Sequence, residues 1–135
     1  MNRKIKFRAL RLGEWRYGLI DNVFFSKMTL RYFDDKLQLP VTTNVDEKTV
    51  GQFTGMLDKN GIEIYEDDII SYTRSVGNWT GQTMTTTHKI IFTEEINAFV
   101  MDYGSSYIKL RKHWGYEYEV IGNIFENPDL LQDVL

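Results

Sequence analysis

Cysteine is absent from the chain, which excludes disulfide bonds and thiolate metal sites and fits a product of the cytosol. Histidine is scarce too: His88 and His113 stand alone and far apart. A structural zinc site takes about four ligands, and two imidazoles without thiolates do not supply them. No run approaches the roughly 20 apolar residues needed to cross a bilayer. The basic opening "MNRKIKFRAL" lacks the apolar core of a signal peptide. There is no Gly-rich phosphate loop, nucleophile elbow, internal repeat or low-complexity tract. The serines of "YGSSY" have no base beside them in sequence. The expectation is a cytoplasmic protein with no catalytic residues, no cofactor, no metal and no membrane partner.

What is present is a strand-rich composition. The 135 residues are 42% hydrophobic and 26% charged, enough apolar surface for a packed interior and too little charge for disorder. Aromatics reach 14%, with 8 Tyr and 8 Phe mostly in short alternating runs. In "KIKFRAL", Ile5, Phe7 and Ala9 alternate with Lys4, Lys6 and Arg8, the period of a half-buried strand. "EWRYGLI" repeats the pattern with Trp15, Tyr17 and Leu19 together, bounded by Gly13 and the Asp21-Asn22 pair as turns. "NVFFSKMTLRYF" predicts one or two more strands, and Pro40 excludes a central strand in "DDKLQLPVTTNVDEK". Residues 73–88, polar and rich in Thr and Gly around Trp79, read as a long loop or flexible hairpin. "KIIF", "AFVMDY", "YIKLRKHW" and "YEYEVIGNIF" read as strands, the last with Tyr116, Tyr118 and Val120 alternating with acids. In "ENPDLLQDVL", Asn127 as N-cap, Pro128 as first helical residue and Asp129 in the first turn predict a short helix near 128–134. Many short strands with little helix imply a mainly β fold of small antiparallel barrels, divisible into subdomains 1–55 and 56–135.

The stretch "DKNGIEIYEDD", Asp58–Asp68, holds the most suggestive chemistry: five acidic side chains around one Asn-Gly step. A calcium loop of the EF-hand kind needs acids at positions one, three and five, Gly at six and Glu at twelve. With Gly61 sixth, the first residue is Met56; with Asp58 first, the Gly comes two residues early. The motif fails either way. A turn fits better, with Asp58 first and Gly61 fourth in a type I turn. A two-residue Asn60-Gly61 turn would set Asp58 opposite Glu63, an unfavourable like-charge pair, so a three-residue loop ending in a Gly61 bulge is expected. Asp58 then accepts only the turn's own amides, and Asp58→Ala should cost less than Gly61→Val. Glu66, Asp67 and Asp68 could hold magnesium or run acid-base chemistry, but with no Lys or His close in sequence a solvated turn is expected.

Charge is uneven along the chain. Residues 1–55 carry ten Lys/Arg against six Asp/Glu, giving +4; residues 56–135 carry six against thirteen, giving −7. The excess is sharpest where Arg3, Lys4, Lys6, Arg8, Arg11 and Arg16 face only Glu14. A basic end on an acidic body suits either nucleic acid or a second copy of the chain. Lys4, Lys6, Arg8, Lys109, Arg111 and Lys112, interleaved with Phe7, Trp15, Tyr17, Tyr107 and Trp114, form the candidate nucleic-acid face. A solvated strand face would look the same.

"TVGQFTGMLDKNGIEIYEDDII" (Thr49–Ile70) and "YEVIGNIFENPDLL" (Tyr118–Leu131), with "KIKFRAL" and "WRYG" before them, resemble the YopX family of phage and prophage proteins. The motifs span nearly the whole chain in the expected order. The chain departs at Asp67, where the family more often has Gly, and at Leu10, where an aromatic is common. The resemblance implies a phage-borne, mainly β protein with no established activity and no catalytic residues to carry over. Gly51, Gly55, Gly61, Gly122 and Pro128 are its recurring positions, of a kind that backbone geometry demands. The expected role is a non-enzymatic binding or assembly module that self-associates or meets a host or phage protein. The alternatives are a nucleic-acid-binding accessory protein and, third, a metal-dependent enzyme.

Overall fold

The computed structural model describes residues 4–24, 27–77, 81–112 and 117–134, with the side chains of 22–24 and 132–134 excepted. Arg3, Trp79, His113, Trp114 and Tyr116 lie outside the described residues. The chain forms two compact units, Met1–Gly55 and Met56–Leu135.

In the first unit, β1 (Phe7–Arg11), β2 (Glu14–Phe24), β3 (Lys27–Asp34) and β4 (Leu39–Val45) form consecutive antiparallel hairpins. A 3-10 turn at Glu47–Thr49 leads to β5 (Gly51–Leu57), which crosses the division and pairs with β1. The sheet order is β4-β3-β2-β1-β5. Alternation decides the faces: Ala9 and Leu30, on one face, are fully buried. Pro40 sits in β4, the edge strand, where its missing amide breaks no ladder. Asp21 does not end β2 as a turn; β2 continues to Phe24 through a bulge between Ile20 and Asn22.

The β1–β2 turn has an unusual residue. Leu12 (φ 52) and Gly13 (φ 80) are both left-handed between the paired Arg11 and Glu14, the geometry of a type I′ turn. Leu12 is 89% exposed, so nothing packs to offset its backbone strain. Leu12→Asn should therefore raise stability by about 0.5–1 kcal/mol, read as a higher denaturant midpoint at unchanged m-value.

In the second unit, β6 (Glu63–Tyr65) follows the 58–62 corner. β7 (Asp68–Ser75), β8 (Thr83–Thr93), β9 (Ala98–Asp102), β10 (Tyr107–Lys109) and β11 (Tyr118–Asn123) form an antiparallel sheet ordered β10-β9-β8-β7-β11. Met56, Ile64, Ile70, Tyr72, Ile90, Met101, Leu110 and Tyr118 pack as its core. The predicted loop over 73–88 is mostly hairpin: β7 extends to Ser75 and β8 starts at Thr83, with the Thr73 and Thr85 hydroxyls bonded at 2.8 Å.

The fold is mainly β, as expected, but the two sheets are open rather than closed barrels. The free edge of β11 is met by the 58–62 corner instead of by another strand: Lys59 donates its amide to Tyr118 O. The predicted C-terminal helix is a 3-10 segment, Pro128–Val134. Seven residues are too few for a stable α-helix, and the predicted cap is engaged elsewhere. Asn127 Oδ1 accepts the Asn123 amide at 3.2 Å, lying against Gly122 where a Cβ would stand only 2.5 Å from it.

Candidate functional site

On β2 and β3 the first unit's sheet leaves part of one face exposed, although Arg8, opposite Tyr17 on that same face, is buried. Leu19 pairs with Arg31, and Tyr17 and Phe33 stand two residues away on the same face, opposite to Ala9 and Leu30. Tyr17, Leu19 and Phe33 are 47%, 53% and 56% exposed, a side-by-side apolar stripe rather than scattered single residues. Trp15, Tyr17, Tyr32 and Phe33 line an open cleft with Arg16 and Lys36 at its rim. Asp34 also borders the cleft, but its Oδ1 accepts the amides of Lys36 and Leu37, each at 2.9 Å. Arg16 lies over the Tyr32 ring and pairs with Glu14 at 2.7 Å. Arg31 is exposed and its guanidinium makes no ion pair or hydrogen bond among the described residues, and the Lys36 ammonium makes no ion pair there. The face can therefore offer flat π surfaces beside two cations without an ion pair among the described residues, although Asp35 also borders the cleft and Asp21 Oδ2 lies 3.4 Å from the hydroxyl of Thr42, the β4 partner of Arg31.

The residues singled out from sequence are differently placed. Lys4, Lys6 and Arg8 lie in the first unit and Lys109, Arg111 and Lys112 in the second. Arg8 is buried, its guanidinium 4.4 Å from the Trp15 ring centroid, and Lys6 lies over Phe53. Those two cations pack against aromatics of their own sheet. Lys109, Arg111 and Lys112 are exposed. Tyr17 and Trp15 stood out in the sequence as a pair; Phe33 and Arg31 did not, because the bulge in β2 sets which β3 residues come beside them.

The acidic stretch is architecture. Gly61 donates to Asp58 O at 3.0 Å and Asp58 donates to Ile62 O at 2.8 Å, so residues 58–61 form a type I turn with Gly61 (φ 77) as its bulge. Asp58 is buried, and its Oδ1 accepts the amides of Asn60 (2.8 Å) and Ile62 (2.9 Å). Its Oδ2 accepts the amide of Val120 on β11 at 2.9 Å. Asp68 is not solvated: it is buried and accepts the Tyr65 amide at 2.7 Å. Asp67, where the family more often has Gly, is left-handed at φ 70, a conformation that glycine adopts without strain. Among the described residues, no group of three or more His, Asp or Glu is placed to hold a metal ion.

Two buried titratable groups serve the second unit's core. His88 Nδ1 lies 3.3 Å from Asp102 O, which can only accept, so Nδ1 carries the proton and Nε2 accepts from Thr86 Oγ1 at 2.7 Å. Burial lowers its pKa, keeping the ring neutral, and it stacks on Tyr103 at 3.9 Å. Tyr118 is fully buried against Tyr72, and burial pushes its phenol up to about 12. An unfolded tyrosine titrates near 10, so this stabilisation is complete below pH 10 and is lost as pH rises through 12. The unfolding midpoint should fall across that window, and Tyr118→Phe should flatten the fall.

The family model described as YopX protein matches residues 7–132. Among solved structures, the chain is similar to protein EF1440 from Enterococcus faecalis, a crystal structure. The two are 25% identical, with a TM-score of 0.54 over 96% of this chain and 99% of that one. No curated protein matches.

Proposed function

The chain belongs to the YopX family, and we propose that it is a non-enzymatic binding or assembly module, phage- or prophage-borne and acting in the host-cell cytoplasm. What supports this reading is the uncovered stripe of Tyr17, Leu19 and Phe33. An apolar stripe on a rigid sheet is costly to leave in water and suits a docking surface. The buried carboxylates Asp58 and Asp68 meanwhile accept backbone amides, which gives both an architectural part. Affinity capture from infected host cells, with and without nuclease, tests the reading. A partner retained by the protein and lost by a Tyr17→Ala, Phe33→Ala double variant is the expected outcome. Equal capture by the variant would remove this face from the proposal.

Self-association belongs to the same proposal, because the +4 and −7 segments are complementary. Sedimentation at low salt should reveal oligomers that dissolve as salt screens the charges. A monomer at high concentration and low salt would rule it out.

A further inference from the structure

We infer that the sheet face carrying Tyr17 and Phe33 binds single-stranded nucleic acid, bases stacking on the two rings and phosphates meeting Arg31 and Lys36. This rests on the binding reading above and names its partner. The face asks two things of an occupant. It must supply flat π surface for exposed rings on neighbouring strands. It must also bring negative charge, since neither Arg31 nor Lys36 has an ion pair among the described residues. A purely apolar protein surface meets the first demand and would strip water from unpaired cations. A single strand meets both demands at once, through bases that stack and a phosphate at every step. The first 55 residues carry a net +4, with Asp34 and Asp35 already counted in it, and that charge favours a polyanion. Trp15, held by Arg8 at 4.4 Å, extends the aromatic surface behind Tyr17.

The inference separates from the one based on alternating basic residues, since Lys6 and Arg8 lie over rings of their own sheet. Replacing those would perturb the sheet, whereas Tyr17, Arg31, Phe33 and Lys36 can be changed at its surface. The test is fluorescence anisotropy of a labelled oligothymidylate with the full chain, against a duplex of the same length. The single strand should bind more tightly, with log K falling on log[salt] with a slope of about −1.4 for two phosphates. Tyr17→Ala and Phe33→Ala should each weaken binding roughly 5- to 100-fold, with circular dichroism unchanged. Arg31→Gln and Lys36→Gln should each reduce the slope by about 0.7. No binding at low salt, or affinity indifferent to Phe33→Ala, overturns the inference. If the oligonucleotide fails while a protein is captured through Tyr17 and Phe33, the nucleic-acid assignment falls and the binding reading stands. If neither binds through these residues, both fall.

Discussion

Alanine at position 18 should unfold the first unit's sheet or come close to it. A Cβ on Gly18 would stand 1.9 Å from the Arg31 carbonyl oxygen, 2.9 Å from its carbon and 3.2 Å from Tyr32 Cα. All three are backbone atoms, so no rotamer change makes room. Strand β2 must instead move away from β3 beside the Leu19–Arg31 pair, loosening the ladder that the β2 bulge registers. Overpacking of a side-chain environment typically costs 1–3 kcal/mol; with the β3 backbone as the obstacle the cost should be at least about 3 kcal/mol, against the 5–15 kcal/mol of a whole domain. The usual gain from replacing glycine, a less disordered unfolded chain, is below about 1 kcal/mol and does not offset it. Gly13→Ala is the control: its Cβ meets nothing within 4 Å, so only the strain of φ 80 applies. Urea unfolding followed by circular dichroism should rank Gly18→Ala far below Gly13→Ala. Equal midpoints would refute the close-approach account.

Gly18 also shows what a sequence hides. "WRYG" reads as a strand with a glycine in it, and nothing nearby points to a backbone thirteen residues later. The last strand was legible from its alternation, whereas "KIKFRAL" revealed a strand but not its faces: Ile5 is exposed, and Arg8, read as outward-facing, is buried next to Ala9. Residues 83–87 were not legible, since Thr83, Met84 and Thr85 are exposed on both faces, Thr86 and Thr87 are half-buried, and "TMTTT" has no apolar alternation to reveal it. Its β-branched threonines nevertheless suit a pleated ladder, and their pairing with β7 sets them in register. The short helix was misjudged for a related reason: Asn127 carries a cap's chemistry, but its side chain is drawn to the end of β11. Closure into barrels cannot be read from strand patterns at all, because it depends on what meets the outermost edges. The candidate site was half visible, with Trp15 and Tyr17 adjacent on one strand and Arg31 and Phe33 brought beside them only by pairing.

Asp58→Ala should destabilise the second unit by roughly 3 kcal/mol, reversing the order expected from the turn alone. As a local turn acceptor the side chain would be worth about 1 kcal/mol. The folded chain leaves it 6% exposed with three amides on one carboxylate. Hydrogen bonds to a charged acceptor are stronger than neutral ones, about 1.5–3 kcal/mol each, though three on one group do not add in full. The Val120 bond decides the matter. It crosses sixty-two positions of sequence and anchors the corner to the free edge of β11, beside the Lys59 amide on Tyr118 O and the 3.0 Å pair of Lys59 with Glu119. Truncation leaves that amide without its partner and releases the edge. Gly61→Val meets open space and carries only left-handed strain, so it should cost about 1–3 kcal/mol and disturb the turn alone. Asp58→Asn discriminates further: one oxygen remains, and its NH2 would face amide donors, so it should recover at most part of the loss. Calcium or magnesium should leave the melting temperature unchanged, because both carboxylate oxygens already face N–H donors and a ligand stabilises only by binding the native state. Amide exchange offers the sharpest reading, with Val120 losing protection in Asp58→Ala and keeping it in Gly61→Val. Protection at Val120 that survives Asp58→Ala would show that the corner does not hold the sheet edge.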